Sequence, residues 1–526
     1  MLSRRINLKS VAGVLMALVL AMSSSLSIAQ SAYAANVPDT TAKVSFTFDD
    51  GLSSSLLAAQ TLQPYGITAT NYVITDCVGL VANASNNDCA ADTTKNYMSW
   101  QDIVALQNTY GWEIGSHTVT HPLTAKVDNP TLTDAQLDSE MSASKQTLIS
   151  NGLNVTSFAT PYGDYDNRSI AAAAKYYSSH RAFQDLTYSS DVATNTFPYY
   201  SPRSSYPYNN YLLSVVPVQG DVSVATVKSY IDQAKANNQW VILVFHEIKA
   251  DNDASYDATK EAYQYRAGNL AAIAAYVKSL GVQVVNMSAA LAGGTNLMSG
   301  SSFSNGIADG WTSDSATKIL ADAQTTSLAG HGSFDGTVSG PLNSISFKGS
   351  TAATNLFAPK INVRSDTTYT VKSFINVTSN SGTVDFHIDE YDANGAVIGA
   401  GKTITGIKGT SSANDVQAGN VNFLYTPSTS TVASARLSVV VAGANLTGYL
   451  DNIEWLSPNG AAPVTPPPTT PAAGDVNGDA VINALDLSTV LTNWNKTGQT
   501  RAQGDVSGDG VVNALDLSAV LSNWSK

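Results

Sequence analysis

The sequence contains little positive charge. Lys and Arg number 28 against 41 Asp and Glu, which gives a net charge of −13 over 526 residues. A nucleic-acid-binding protein needs a basic face for the phosphates, so this shortage argues against that class of function. Charged residues of both signs amount to only 13% while hydrophobic residues reach 43%, which excludes a disordered acidic chain. At roughly 100–200 residues per domain, the length predicts about three domains.

Cysteine is almost absent. Cys77 and Cys89 are the only two, and they lie in an Asn/Asp-rich segment without a neighbouring His. Two isolated thiols make a poor metal site. In an oxidising compartment we expect them to form a disulfide.

Long apolar runs are missing after the N-terminus. There, Arg4, Arg5 and Lys9 precede an apolar run over 11–22, and small residues follow as far as Ala34. This pattern predicts a secretory signal over 1–34, cleaved after Ala34. An uncleaved membrane anchor is the alternative, but the run is short for a bilayer span. We therefore expect a secreted, extracellular protein without a membrane partner, associated with a scaffold or a cell surface for reasons given below.

Changes in composition and in hydrophobic pattern along the chain indicate four further segments. Residues 35–295 alternate short apolar strands, such as 44–48 and 240–246, with helical patterns, which predicts βα units and a parallel sheet. Residues 296–458 are rich in Ser, Thr, Gly and Asn with short alternating strands, which predicts a β-sandwich. The Pro/Thr-rich stretch 459–473 predicts a semi-rigid extended linker before residues 474–526.

The C-terminal segment is a duplication. Residues 474–496 and 504–526 match at 17 of 23 positions, so one supersecondary unit occurs twice. In each copy, oxygen ligands fall at positions 1, 3, 5, 7, 9 and 12 of a loop, position 7 through its backbone carbonyl, and a helix with apolar residues at helical spacing follows. This spacing suits Ca²⁺, and we predict two ions. The ligands are Asp475, Asn477, Asp479, Val481, Asn483 and Asp486 in the first copy, and Asp505, Ser507, Asp509, Val511, Asn513 and Asp516 in the second.

Two calcium loops, each followed by a single helix, make 474–526 resemble a dockerin domain. The resemblance implies that a cohesin-bearing scaffold protein is the partner. Loop positions 10 and 11 help to select the cohesin in dockerins, and both copies carry the same apolar pair there, which would permit binding in two orientations. These residues are Ala484, Leu485, Ala514 and Leu515.

Four polar clusters follow predicted strands within 35–295. They are 49–51, 116–121, 161–163 and His246. In a βα barrel the C-terminal ends of the strands form the active site. His117 and His121 are four residues apart, as on one face of a helical turn, and can converge on a metal with a carboxylate as third ligand. Of two adjacent carboxylates, one can bind metal while the other accepts a proton.

TFDDG at 47–51 and SHTVTH at 116–121 resemble the first two motifs of the polysaccharide deacetylases, family 4 of the carbohydrate esterases. The similarity spans about 45–290. It implies a distorted (β/α) barrel and a divalent metal, most often zinc, with cobalt possible. It also implies Asp49 as catalytic base and Asp50, His117 and His121 as metal ligands.

Two further motifs extend the resemblance. LVFH at 243–246 matches the last motif, which implies His246 as general acid and Leu243 in the acetyl pocket. Pro161 and Tyr162 match the third motif, which implies substrate contact for the first and an oxyanion-binding backbone N–H for the second.

The third motif normally begins with an Arg that orients the base, but Ala159 stands there. We predict that Arg203 replaces this Arg from another loop, and we interpret the pair His180-Arg181 as structural.

The middle segment resembles jelly-roll carbohydrate-binding modules, and both sugar binding and a purely structural role remain open for it. Trp311, Tyr391 and Trp455 could stack on sugar or belong to the core.

The sequence as a whole favours a secreted metal-dependent deacetylase of plant cell-wall polysaccharide, with acetylxylan preferred because dockerins are associated with plant-wall scaffolds. One alternative is an N-deacetylase of chitin or peptidoglycan. The other is a non-catalytic carbohydrate-binding protein on a deacetylase-like fold.

Overall fold

A computed structural model describes most of the chain. The described residues are 37–85, 87–126, 128–185, 204–259, 262–300, 303, 307, 310–315, 319–323, 343–377, 382–407, 418–444, 446–459, 473–476 and 482–524. The predicted signal over 1–34 and nearly all of the predicted linker 459–473 lie outside them.

Seven parallel strands close into a barrel, which confirms the predicted fold of the first domain. Their order around the barrel is β1-β2-β3-β4-β5-β7-β8, and β8 closes it by pairing in parallel with β1 from Lys43↔Trp240 to Phe48↔Phe245. The strands are β1 (Lys43–Phe48), β2 (Thr70–Val73), β3 (Glu113–Ser116), β4 (Ser157–Ala159), β5 (Ser179–Asp185), β7 (Leu213–Pro217) and β8 (Gln239–Phe245). Short strands β6 (Ser204–Ser205) and β11 (Gln283–Val284) extend the sheet at β8 and β1, and β9 (Glu247–Lys249) pairs with β10 (Gln264–Arg266).

Six helices of the described chain cover the outside of the barrel: α1 (Ser55–Leu62), α2 (Trp100–Asn108), α3 (Asp134–Ser150), α4 (Asn167–Tyr176), α5 (Val224–Ala236) and α6 (Ala267–Leu280). The short helix α7 (Met287–Leu291) instead buries Met287 and Ala290 in the same cluster as Ile242 and Val244. Side chains of β8 alternate between the two layers, as the period of a strand requires. Leu243 and Phe245 belong to the cluster under the helices, whereas Ile242 and Val244 belong to the cluster inside the barrel.

Cys77 and Cys89 form a disulfide, as predicted. It closes a loop that begins in a short 3₁₀ turn, Thr75–Cys77, directly after β2. Both residues are buried with Tyr97 in a small cluster of their own. Because Met98 N–H donates to the Gly51 carbonyl at 3.0 Å, the loop returns beside the end of β1.

Two antiparallel sheets form the predicted β-sandwich. One has the order β14-β15-β23-β18-β21 with β12 added to β23, and the other has the order β13-β16-β22-β19-β20 with β17 added to β22. The strands are β12 (Thr295–Asn296), β13 (Thr312–Ser313), β14 (Ile319–Ala323), β15 (Asn343–Lys348), β16 (Thr354–Phe357), β17 (Ile361–Asn362), β18 (Tyr369–Val377), β19 (Thr383–Tyr391), β20 (Val397–Ile407), β21 (Ala418–Tyr425), β22 (Ser434–Ala442) and β23 (Thr447–Ser457). Side chains of both sheets meet in one core. Trp311, Tyr391 and Trp455 are all buried, so these three are not a surface for stacking on sugar.

A polar ladder joins the barrel to the sandwich within one compact unit. It connects the segment that precedes β7 with strand β21. Asn210 N–H donates to Asn420 Oδ1 at 3.0 Å, and Asn420 N–H donates to Asn209 Oδ1 at 3.2 Å. The Asn422 side-chain amide donates to the Tyr208 carbonyl. Backbone groups on both sides are therefore satisfied only when the two parts are together.

Apolar side chains complete this contact. Ile170 and Ala174 of α4 and Tyr211 and Leu212 before β7 are buried in the same cluster as the sandwich core. The rings of Tyr211 and Phe374 lie 5.2 Å apart. The barrel thus shares part of its core with the sandwich, although the sequence suggested independent domains.

The C-terminal unit has a small core of its own. Helices α8 (Ala484–Thr492) and α9 (Ala514–Ser522) contact each other, and a 3₁₀ turn, Arg501–Gln503, lies between them. Five buried side chains form the core: Val476, Ile482, Val490, Val512 and Val520. In the chain as described, no helix is both long and apolar enough to traverse a bilayer.

Removal of the sandwich should destabilise the barrel, because it exposes the apolar contact and leaves the Asn ladder without partners. We expect residues 35–295 alone to unfold at least about 5 °C below residues 35–459 in differential scanning calorimetry. Residues 35–459, which keep both the barrel and the sandwich, are the matched control. Equal unfolding temperatures for the barrel in both would contradict the shared core.

Candidate active site

Asp49 and Asp50 begin the turn that follows β1. Asp49 is buried, and its N–H donates to the Phe245 carbonyl at 2.9 Å, which fixes it beside the end of β8. Asp50 and Gly51 have φ of 71° and 74°, a left-handed conformation that glycine adopts without strain. This turn directs the two adjacent carboxylates to different partners. Such an arrangement is what we expected if one carboxylate binds a metal and the other accepts a proton.

His117 and His121 converge without a helix. They follow β3 in an irregular loop in which Thr118 has φ of 69° and His121 has φ of 64°. Glu140 on α3 holds this loop by accepting the N–H groups of Val119 and Thr120, both at 2.9 Å. The expected helical turn is therefore wrong, although the expected convergence of the two imidazoles is correct.

The atoms of Asp50, His117 and His121 fit one divalent metal ion. The two His Nε2 atoms lie 3.2 Å apart, and each lies 3.5 Å from Asp50 Oδ1. Tetrahedral zinc with bonds of about 2.0–2.2 Å places its ligand atoms roughly 3.3–3.5 Å apart. His117 Nδ1–H donates to the Ala159 carbonyl at 2.8 Å, which leaves the Nε2 lone pair for a metal. Among the residues that the structure describes, this His/Asp group is the one with convergent ligand atoms.

The protonation states of His121 and Asp50 favour metal binding. Burial, together with the neighbouring His117, lowers the pKa of His121 to about 3, so its imidazole is neutral at ordinary pH. Burial alone would raise the pKa of Asp50, but the His117 hydrogen bond and the surrounding imidazoles lower it below its usual range. A neutral imidazole and an ionised carboxylate are the forms that bind a metal.

Arg181 forms a buried ion pair with Asp49. Its Nη2 lies 2.6 Å from Asp49 Oδ2, and both side chains are almost completely buried. The guanidinium also lies over the Tyr72 ring, 5.0 Å from its centroid. The interpretation of Arg181 as merely structural overlooked this contact. Arg203 lies outside the described residues, so its predicted role stays a prediction.

The register of the sheet explains how Arg181 reaches the base. In the parallel pair β4–β5, Arg181 stands opposite Ala159. Ala159 occupies the position at which the deacetylase motif has its Arg, so this chain carries the guanidinium at the same level on the neighbouring strand. A sequence signal existed, since Arg is rare in a buried barrel strand, but only the register reveals its use.

His246 follows β8 and lies near the same carboxylate of Asp49. Its Nε2 is 3.9 Å from Asp49 Oδ2, and its ring lies 5.0 Å from that of Tyr263. The next residue, Glu247, binds Lys95 at 2.6 Å and Lys249 at 2.7 Å. Because Lys95 belongs to the disulfide-bearing segment before α2, that segment and the strand end at His246 are held together.

The third motif places Tyr162 beside the metal group, whereas Leu243 lies away from it. Pro161 is buried, and the Tyr162 ring contacts that of His121 with centroids 4.4 Å apart. Leu243 is buried under the outer helices. The inward-facing position nearest to His246 on β8 belongs instead to Val244.

The second calcium loop is fully described. Asp505 accepts the N–H groups of Gly508 and Gly510, each at 2.8 Å, and Asp516 accepts those of Ser507 and Asn513 at the same distance. The other predicted ligands of this copy, Asp509 and Val511, are also described. In the first copy Asp475, Asn483 and Asp486 are described, while Asn477, Asp479 and Val481 lie outside the described residues.

The predicted partner-binding residues are exposed in both copies. Ala484 and Ala514 begin the two helices, and Leu485 and Leu515 are 64% and 62% exposed. Four further apolar side chains at or just after the ends of these helices are also exposed, because the core of so small a unit cannot bury them all. These are Leu491, Trp494, Leu521 and Trp524. Each copy thus presents an equivalent apolar surface.

Solved structures with similarity to the chain include two esterases and one binding module. The Xyl-CE4 domain of a multidomain xylanase from the hindgut metagenome of Trinervitermes trinervoides is 18% identical, with a TM-score of 0.26, covering 47% of this chain and 89% of that one. The family 4 carbohydrate esterase from Streptomyces lividans is 19% identical, with a TM-score of 0.28, covering 46% and 91%. TmCBM61, solved with β-1,4-galactotriose, is 11% identical, with a TM-score of 0.23, covering 31% and 99%.

No curated protein matches the chain. Family models match two parts of it: residues 36–178 match "Polysaccharide deacetylase", and residues 473–523 match "Dockerin type I domain". Residues 36–178 are therefore similar to polysaccharide deacetylases and residues 473–523 to type I dockerin domains, and each match covers less than half of the chain.

Proposed function

We propose that this protein is a secreted, metal-dependent esterase that removes acetyl groups from plant cell-wall polysaccharide, with acetylxylan as its favoured substrate. The observation that carries the proposal is the convergence of Asp50, His117 and His121 at 3.2–3.5 Å, next to the buried pair of Asp49 and Arg181. This arrangement supports hydrolysis, because it combines a metal-binding group with a separate proton acceptor.

In this reaction water is the nucleophile and the sugar hydroxyl is the leaving group. Asp49 takes a proton from the attacking water while the new C–O bond to the acetyl carbon forms. The bond between that carbon and the sugar oxygen then breaks, and His246 gives a proton to this oxygen. Acetate and the free hydroxyl leave. The 3.9 Å separation of His246 Nε2 from Asp49 Oδ2 supports action of both residues on one small group.

Three other groups of the chain support these steps. Arg181 orients the Asp49 carboxylate through their 2.6 Å ion pair. The Tyr162 backbone N–H donates to the oxygen that becomes negative as water attacks. A divalent metal, zinc or cobalt, held by Asp50, His117 and His121 would polarise the carbonyl and acidify water. Pro161 shapes the adjoining surface of the substrate site.

The dockerin domain supports the choice of substrate. With Ca²⁺ in both loops it would bind a cohesin-bearing scaffold through the exposed surfaces around Ala484, Leu485, Ala514 and Leu515. A scaffold of this kind gathers enzymes on plant cell wall, where xylan is acetylated. The preference for xylan over chitin or peptidoglycan rests on this association.

Acetate release tests the function directly. We expect the zinc- or cobalt-loaded chain to release acetate faster from acetylxylan than from chitin oligomers, and chelator to abolish both activities. Asp49→Asn and His246→Ala should each lower kcat by about 10²–10⁴ with metal content unchanged. A preference for N-acetylated oligomers would mean that the enzyme hydrolyses acetyl amides, and not acetyl esters as proposed. Full metal binding without acetate release from any of them would favour a non-catalytic binding protein.

Arg181 should affect the rate without affecting the metal. In Arg181→Met the buried Asp49 loses the cation that pairs with it and holds its carboxylate in place. We expect kcat to fall at least about 10²-fold. Zinc content should stay at the wild-type level, because Arg181 pairs with Asp49 and not with the three ligands. Arg364→Met, at an exposed ion pair with Asp366, is the control. A wild-type kcat in Arg181→Met would contradict the role.

Calcium should fold the dockerin selectively. The second loop brings together the carboxylates of Asp505, Asp509 and Asp516, whose repulsion a cation would offset. We expect limited proteolysis of the full chain in excess EGTA to degrade 474–526 while the barrel and sandwich resist, and added Ca²⁺ to restore both resistance and cohesin binding. Acetate release from soluble substrate should be unaffected by EGTA once zinc is supplied. Cohesin binding that persists in excess EGTA would contradict the prediction.

A further inference from the structure

Two exposed tyrosines stand at the mouth of the active site. Tyr162 is 61% exposed and Tyr263 is 48% exposed, although each ring contacts a catalytic-site imidazole. Across the described part of the chain, four aromatic side chains are more than a third exposed, and the other two, Trp494 and Trp524, belong to the C-terminal unit and are 38% exposed each. The barrel and sandwich therefore keep every other large ring that is described at least half-covered.

Both tyrosines are held in place by strained backbone. Tyr162 has φ of 57° and Tyr263 has φ of 52°, a region that costs a bulky residue about 1–2 kcal/mol. The Tyr263 carbonyl accepts the Glu247 N–H at 3.1 Å, and strand β10 begins at the next residue, so its position is fixed relative to His246. Such strain persists only where surrounding structure imposes it, and it is common at ligand contacts.

We propose that Tyr162 and Tyr263 form a subsite for one pyranose ring, the ring that carries the acetyl group. Their rings lie against His121, a predicted metal ligand, and His246, the proposed general acid, respectively. A pyranose ring has apolar faces of C–H groups that stack on an aromatic ring, while its hydroxyls remain near water. The subsite deepens the proposed function and rests on it, because it selects acetyl esters of sugars over other acetyl esters.

Substrate selectivity tests the subsite. We expect Tyr263→Leu to lower kcat/KM at least tenfold for acetylated xylo-oligosaccharide, mainly through KM. The loss for 4-nitrophenyl acetate, which has no sugar ring, should be much smaller. Tyr263→Phe keeps the ring and should retain the wild-type ratio of the two substrates within about threefold, since the stacking surface remains. Tyr276→Leu, on α6 in the outer helical layer, is the matched control.

Two results would overturn the subsite. Equal losses for both substrates in Tyr263→Leu would mean that the ring acts only on His246, and a Phe variant as poor as the Leu variant would mean that the hydroxyl and not the ring is used. A binding measurement tests this inference independently of the proposed function. Titration calorimetry of Asp49→Asn with unacetylated xylo-oligosaccharide should give binding that Tyr263→Leu weakens at least fivefold, whether or not the wild type releases acetate. Binding that is unchanged by Tyr263→Leu would also reject the subsite.

Discussion

The buried ion pair between Asp49 and Arg181 is the constraint on which the active barrel depends. A carboxylate and a guanidinium that are almost fully buried must stay together, because loss of one partner leaves an unpaired charge at a cost of about 3–5 kcal/mol. Asp49 follows β1 and Arg181 lies on β5, so the pair spans the interior of the closed barrel. Closure of β8 on β1 then brings His246 beside the same carboxylate. The strand order therefore sets both the closure of the barrel and the surroundings of the Asp49 carboxylate.

Hydrogen bonds connect the strand that carries Arg181 to the β-sandwich. His180, next to Arg181, donates its N–H to the Asn210 carbonyl at 2.8 Å, and Asn210 in turn donates its own N–H to Asn420 of the sandwich. A continuous set of hydrogen bonds thus leads from strand β21 to the strand that carries Arg181. This gives the middle domain a definite structural part in the catalytic unit.

The sequence predicted the features that depend on local pattern. Alternation of strands and helices predicted the barrel, DDG and HxxxH pointed to Asp50, His117 and His121, and the expected oxidising compartment predicted the disulfide of the two cysteines. It did not predict features that depend on register between distant strands. Arg181 reaches Asp49 because it pairs with Ala159 across β4 and β5, a relation that 21 intervening residues conceal. The contact between barrel and sandwich was hidden for a related reason, since its Asn residues look like ordinary loop residues until their partners are known.

Backbone strain explains why the two histidines converge without the expected helical turn. Ten non-glycine residues of the described chain have positive φ; four are Asn, which tolerates it, and one is Phe303. The remaining five all belong to the active site: Asp50, Thr118, His121, Tyr162 and Tyr263. At about 1–2 kcal/mol each, such conformations need compensation from their surroundings. Glu140 supplies it for the histidine loop and the pairing of β9 with β10 for Tyr263. A helical turn would have avoided this strain at Thr118 and His121. The strain is thus the local cost of the irregular loop that brings the His117 and His121 Nε2 atoms within 3.2 Å of each other.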